Sequence, residues 1–322
     1  MDTNQQKPVV TFEQVINRGC GLDVHEKTVV ATIDGLGLQR ETRTFDTFTE
    51  SLIELRNWLK THQVSHIAME STGVYWKPIF NILEENFRIL LVNARHLKNV
   101  PGRKTDKADS EWICKLLLSG LLKGSFVPEE KLRNLRDLSR YATKLTQQAS
   151  AEKNRIHKIL EDANIKLSSV VSDIDGAVSN RLIAGLIAGR RDLGQLVEET
   201  YHKKLKANKA DLLKAITGKV TEHHRFMLGQ IQSHLEYLEK QVMAIEDQMD
   251  RLLEDHEQEI ELLKEIPGID DKAAKKVLSE IGSDMEVFPS EKHLSKWAGI
   301  CPGNNETAGK KKVDEPRRET NT

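Results

Sequence analysis

The chain has 322 residues, 38% of them hydrophobic and 30% charged, a balance that excludes a disordered chain and at this length asks for more than one core. No apolar run approaches the roughly 20 residues of a membrane span, and the opening MDTNQQKPVVTFEQ lacks the basic start and apolar stretch of a secretion signal. The formal net charge of −1 hides two opposite fields: Arg95 to Lys158 carries 15 Lys/Arg against 7 Asp/Glu, and Gln230 to Glu265 carries 3 against 11. A basic stretch beside candidate acids suits a phosphate-bearing partner. Cys20, Cys114 and Cys301 lie far apart and read as ordinary thiols of a reducing compartment, not as a zinc site or a disulfide frame.

In chain order, Gly21 to Ile33 reads as a strand, Asp34-Gly35 as a turn and Leu38 to Phe45 as the returning strand of a hairpin. Thr47 to Thr61 has helical spacing at Leu52, Leu55, Trp58 and Leu59. His66 to Met69 reads as a buried strand ending at Glu70, Pro78 to Glu85 as a helix, and Arg88 to Val92 as another buried strand. Hairpin, helix, strand, helix, strand predicts an α/β layered domain with a mixed sheet. Beyond Asp106 the pattern turns helical. Leu138, Ala142, Leu145, Ala149, Ile156 and Ile159 keep a 3-4 alternation broken at Glu152. Ile231, Leu235, Leu238, Val242, Ile245, Met249 and Leu252 form a heptad seam. These helices read as an antiparallel pair, as a spacer or dimerisation arm, or as both. From Leu262 a Pro267-Gly268 turn precedes a helix capped by Asp270 or Asp271, and a short helix carries Leu294 and Trp297. The end is polar and reads as a mobile tail.

Four acids stand out. Asp23 lies within the first strand, Glu70 ends a central strand, and Asp106 and Asp109 share one face of a helix start. Carboxylates converging from separate elements suit Mg²⁺ or Mn²⁺, which can clamp the attacking and leaving oxygens of a phosphodiester. Glu26, Glu84 and Glu111 are neighbouring acids that compete for the assignment. The loop leading to the acid pair supplies Arg95, Lys98, Arg103, Lys104 and Lys107 for a phosphate backbone. Ile266 to Gly282 resembles a helix-hairpin-helix, with Lys272, Lys275 and Lys276 beside a helix N-terminus. Cys301 to Lys312 offers the Thr307 hydroxyl beside Lys310, but no local base activates it, so on its own it is a basic loop.

GLDVHEKT, AMESTGVYW, VNARHLKNVPGRKTDKADSEW, and EIPGI with FPSEKHLSKWAGICPGNNETAGK resemble the DEDD transposases of bacterial insertion sequences, the "IS one-ten" family. The likeness runs from Gly21 to about Lys312. It implies a RuvC-like, RNase H-type mixed-sheet domain over 1–125, a long helical coiled-coil region over 126–261, a small helical C-terminal transposase domain over 262–312 and a tail over 313–322. It implies a metal-binding tetrad of Asp23, Glu70, Asp106 and Asp109. It also implies donor and target DNA as partners, a structured bridge RNA, a homo-oligomer formed through the helices, no membrane, and a cytoplasmic, nucleoid-associated location. The family's nucleophilic serine falls at Thr307, where the extra methyl group crowds the hydroxyl. The ending VDEPRRETNT reads as a truncated or frame-shifted terminus, the C-terminal domain as incomplete, and this copy as a partial or decayed transposase.

Three readings follow. They are a transposase using both acids and hydroxyl, a metal-dependent endonuclease like a Holliday-junction resolvase, and a non-catalytic nucleic-acid binder. Actin-like ATPases also place an Asp on a first strand, but they need a glycine-rich turn after it. No glycine follows Asp23 until Gly35, which argues against them.

Overall fold

The computed structural model describes residues 14–71, 73–93, 97, 109–203 and 205–300, together with the backbone of 306–307 and 310–311. The chain divides into two compact units, one of residues 1–127 with 287–322 and one of residues 128–286.

The first unit is built on a five-stranded mixed sheet. Its strands are β1 (Arg18–Val24), β2 (Thr28–Gly35), β3 (Leu38–Asp46), β4 (His66–Glu70) and β5 (Arg88–Val92), in the order β3-β2-β1-β4-β5. The β1–β2 and β2–β3 pairs are antiparallel, while β1–β4 and β4–β5 are parallel. This mixed α/β arrangement is consistent with an RNase H-like domain. Helices α1 (Thr49–Thr61) and α2 (Trp76–Leu83) cover one face, where Leu52, Leu55, Leu59, Ile79 and Leu83 meet Cys20, Leu22, Ala31 and Ile33. Helix α3 (Asp109–Leu118) covers the other, with Leu116 and Leu117 against Ala68 and Val92. With both faces covered, β4 needs no alternation, and Ile67, Ala68 and Met69 are all buried.

One expectation is corrected. The run from Gly21 to Ile33 is two strands, not one. The chain reverses at His25–Lys27, where His25 N–H donates to the Thr28 carbonyl at 2.9 Å. This turn is charged and contains neither Gly nor Pro, so β-branched residues on both sides read through it. Asp23 is therefore next to the end of β1 and not at its centre.

The second unit is helical. Helices α4 (Glu130–Asp162) and α8 (Glu222–Leu252) run antiparallel. Leu145, Ile156 and Leu160 pack with Leu228, Ile231 and Leu235, whereas Leu132 and Leu135 pack with Met249. Glu152 does not interrupt the seam but occupies it. It is 5% exposed and accepts from His234 Nδ1 at 3.2 Å and from Arg155. A capping box opens α8: Thr221 Oγ1 accepts from His224 N–H at 3.3 Å, and His224 Nδ1 accepts from Thr221 N–H at 3.2 Å. The same imidazole reaches Asp162 through Nε2 at 2.8 Å, tying the start of α8 to the end of α4.

Between these helices lie α5 (Ala177–Ile187), α6 (Leu193–Thr200) and α7 (Lys209–Ile216). Beyond α8 come α9 (Glu257–Lys264) and α10 (Asp271–Ile281), the latter capped by Asp270, whose carboxylate accepts from Ala273 N–H at 2.8 Å. Arg136 donates to the Glu280 carbonyl at 2.6 Å, and Arg140 grips the Glu280 carboxylate at 3.0 and 3.1 Å. The last described helix, α11 (Glu291–Trp297), belongs to the first unit, where Phe288 meets both Phe126 and Trp297 edge-on.

Candidate active site

Strand register brings two of the expected acids together. In the parallel β1–β4 pair, Leu22 lies opposite Met69, so the next residues along the two strands are Asp23 and Glu70. Side chains alternate along a strand, so Gly19, Gly21 and Asp23 share one face and Ala68 and Glu70 share the same face of β4. That face is the one α3 crosses. A Cβ placed on Gly21 would lie 2.2 Å from the Ser110 carbonyl oxygen, and one on Gly19 would lie 3.0 Å from Leu117. Helix α3 thus runs antiparallel to β1, with its N-terminus toward the strand ends. Asp109, the residue before Ser110, starts that helix on the side of Asp23 and Glu70.

Polar contacts fix the helix start. Ser110 Oγ is 2.9 Å from Thr32 Oγ1, which is 2.8 Å from Thr42 Oγ1, and Ser110 and Thr32 are fully buried. Buried hydroxyls that satisfy one another hold a definite geometry. The Cys114 thiol donates to the Gly19 carbonyl. Asp23 keeps 24% of its side chain exposed and lies 3.2 Å from His25 Nε2. The carboxylates are hard oxygen donors that suit a divalent cation in kind. Among the described residues, no group of three His, Cys, Asp or Glu side chains is arranged to hold a metal ion.

Asp106 and the basic residues Arg95, Lys98, Arg103, Lys104 and Lys107 lie outside the described residues. Thr307 lies in β6 (Glu306–Thr307), which pairs antiparallel with β7 (Lys310–Lys311), and its backbone is opposite Lys310. On α10, Lys272 is ion-paired with Glu246 at 2.8 Å, and Lys275 with Asp250 and Asp271 at 2.7 Å each. Of the competing acids, Glu111 follows Ser110 on α3 and helps to hold the Arg40 guanidinium charged, after Asp34, which binds it directly. Sequence reasoning missed Gly21, Thr32, Ser110 and His25. Alternate glycines within a strand are the signal that could have found the first, since they mark close backbone approach.

Two family models match. A DEDD transposase model of the IS110 type covers residues 20–165, the span that contains all four acids. The model of the transposase IS116/IS110/IS902 family covers residues 260–321, the span that contains Thr307. No curated protein matches the chain. No helix among the described residues is long and apolar enough to cross a membrane. Two matches of the same family, in the order of its N-terminal and C-terminal parts and together spanning most of the chain, give one conclusion: the chain belongs to the IS110 family of transposases, enzymes that act on DNA.

Proposed function

We propose that this transposase cleaves and exchanges DNA strands with divalent cations, Mg²⁺ or Mn²⁺, held by Asp23, Glu70, Asp106 and Asp109. The observation that carries the reading is the β1–β4 register, which supports a carboxylate pair at adjacent strand ends beneath the start of α3. When bound, such ions neutralise charge on the phosphate and favour the attacking oxygen. Arg95, Lys98, Arg103, Lys104, Lys107 and Lys310 hold the backbone of the nucleic acid. The Thr307 hydroxyl attacks phosphorus as the bond to the departing sugar oxygen breaks, its proton passing to water and the sugar oxygen taking one up from water, which leaves the chain covalently joined to DNA. A bridge RNA selects donor and target, the long helices act as a coiled-coil arm joining copies of the chain, and the protein works in the cytoplasm on the nucleoid.

Labelled duplex DNA incubated with the protein, with and without a bridge RNA and with Mg²⁺, Mn²⁺ or chelator, tests this. Cleavage is expected only with the cation, and Asp23→Ala and Glu70→Ala are expected to abolish it while melting like the wild type. Cleavage retained by either variant removes that residue from the site. A detergent-resistant protein–DNA adduct is expected, lost in Thr307→Ala and strengthened in Thr307→Ser. The threonine favours a second reading, a RuvC-like endonuclease. Cation-dependent free ends, with no adduct in wild type or in Thr307→Ser, would establish that reading instead.

A further inference from the structure

Between Lys203 and Lys219 the sequence carries six lysines against one acid, Asp211. Of these, Lys203, Lys206, Lys209, Lys214 and Lys219 are exposed. Asn208 caps α7 by accepting from Asp211 N–H at 2.8 Å, and the helix buries Leu212, Ala215 and Ile216. The far end of α7 is tied to the exit of α4. Lys166 N–H donates to the Ala215 carbonyl at 2.8 Å, and Lys219 N–H donates to the Ala163 carbonyl at 2.9 Å. Gly218 is pressed so close that a Cβ there would lie 2.4 Å from the Ala163 carbonyl oxygen. Lys209, Lys214 and Lys219 therefore stand on a fixed backbone.

Lys209 is spent on Glu198 and Lys166 on Glu161. Lys203, Lys206, Lys214 and Lys219 are exposed and form no ion pair with the described residues. The contrast lies within the same unit, at the other end of α8. There Lys272 and Lys275, expected from the sequence to face phosphate, are neutralised by Glu246, Asp250 and Asp271. The acidic field of α8 thus cancels one lysine cluster and leaves the other. Unscreened like charges repel within about 8–10 Å, a cost that a polyanion relieves. The only Phe, Tyr or Trp in residues 163–221 is Tyr201, half-buried with Lys209 over its ring. Among the described residues this surface thus lacks an exposed Phe, Tyr or Trp on which a run of unstacked bases could lie, His202 being its one exposed ring, and it suits a duplex backbone.

We propose that the cap of residues 163–221 grips the phosphate backbone of duplex DNA through Lys203, Lys206, Lys214 and Lys219. This rests on the chain's acting on DNA. The test is a fluorescence-anisotropy titration of the full chain with labelled duplex at several NaCl concentrations. It compares wild type with the variant Lys203→Gln/Lys206→Gln/Lys214→Gln/Lys219→Gln and with Lys272→Gln/Lys275→Gln. The fourfold variant is expected to bind at least about tenfold more weakly, with a log–log salt slope smaller by about two to four, and the α10 variant to keep its slope within about one. An unchanged slope in the fourfold variant overturns the cap alone, and a wild type that binds no duplex overturns the DNA reading with it. Weakening confined to an RNA hairpin also overturns the proposal. Should the fourfold variant melt early, lysine-directed crosslinking of wild type to aldehyde-bearing duplex decides. Adducts on Lys203 to Lys219 are expected, and adducts only elsewhere overturn it.

Discussion

A Cβ at Gly21 would lie 2.2 Å from the Ser110 carbonyl oxygen and 2.3 Å from Cys114 N, so β1 and α3 meet backbone to backbone. Neither contact is a flexible side-chain tip, and the helix must move to admit a methyl group. Gly21→Ala is expected to cost about 3 kcal/mol in denaturant unfolding. Ser110→Ala, which removes one partner of Thr32, is expected to cost about 1 kcal/mol. A Gly21→Ala protein as stable as wild type would mean that α3 does not pack as described.

Close by, burial, followed by the negative charge of Asp34, pushes the Cys114 thiol up to about 12, from 9.0. Cys20 is raised well above the same value, first by burial and then by Cys114. The folded chain thus keeps protons that the unfolded chain releases. The resulting stabilisation is complete below about pH 9 and shrinks as pH rises from there toward 12. Unfolding free energy is expected to fall by about 2 kcal/mol between about pH 9 and 10.5 on account of Cys114, with Cys20 adding in the same direction, a slope that Cys20→Ala/Cys114→Ala should reduce. An identical slope in that variant would show that the thiols do not contribute. The acids themselves were legible as residue types at strand ends. The glycine and hydroxyl supports were not, because small residues announce a close approach only once the partner helix is known.

At the scale of elements, patterns with a period survived and charged turns did not. The heptad run of α8 was readable because its seam is apolar throughout. The reversal at His25–Lys27 was hidden by its composition. Glu152 is the instructive case in α4, since a charge at a seam position looks like the seam's end. Its carboxylate instead sits inside, bonded to His234 and Arg155. Taking a charge out of water costs about as much as its partners return, and because the His234 and Arg155 side chains are half or more exposed, an apolar side chain of similar size there strands no buried charge. Glu152→Leu is accordingly expected to melt at or above the wild-type temperature. A loss of more than about 2 kcal/mol would show that these bonds outweigh desolvation.

For the molecule as a whole, the sequence pattern anticipated an α/β part with a mixed sheet followed by helices, and the structure has that mixed sheet and those helices, while the strand order was not read from it. It could not anticipate how the last segment is shared. Ile260, Ala274 and Leu278 join the core of the long helices, whereas Phe288 and Trp297 join Phe126 in the other unit. Such sharing depends on contacts between residues more than a hundred positions apart, and local periodicity carries no record of them. It has a consequence for dissection. The helical unit is one continuous stretch, residues 128–286, and both of its apolar clusters close within that stretch. A fragment of residues 128–286 is therefore expected to fold alone, with a helical circular-dichroism spectrum and one cooperative thermal transition. The complementary cut, residues 1–127, leaves Phe126 without Phe288 and is expected to melt lower than the same stretch co-expressed with residues 287–322. A 128–286 fragment that melts without cooperativity would show that its core needs the rest of the chain, and the division into units would then fail.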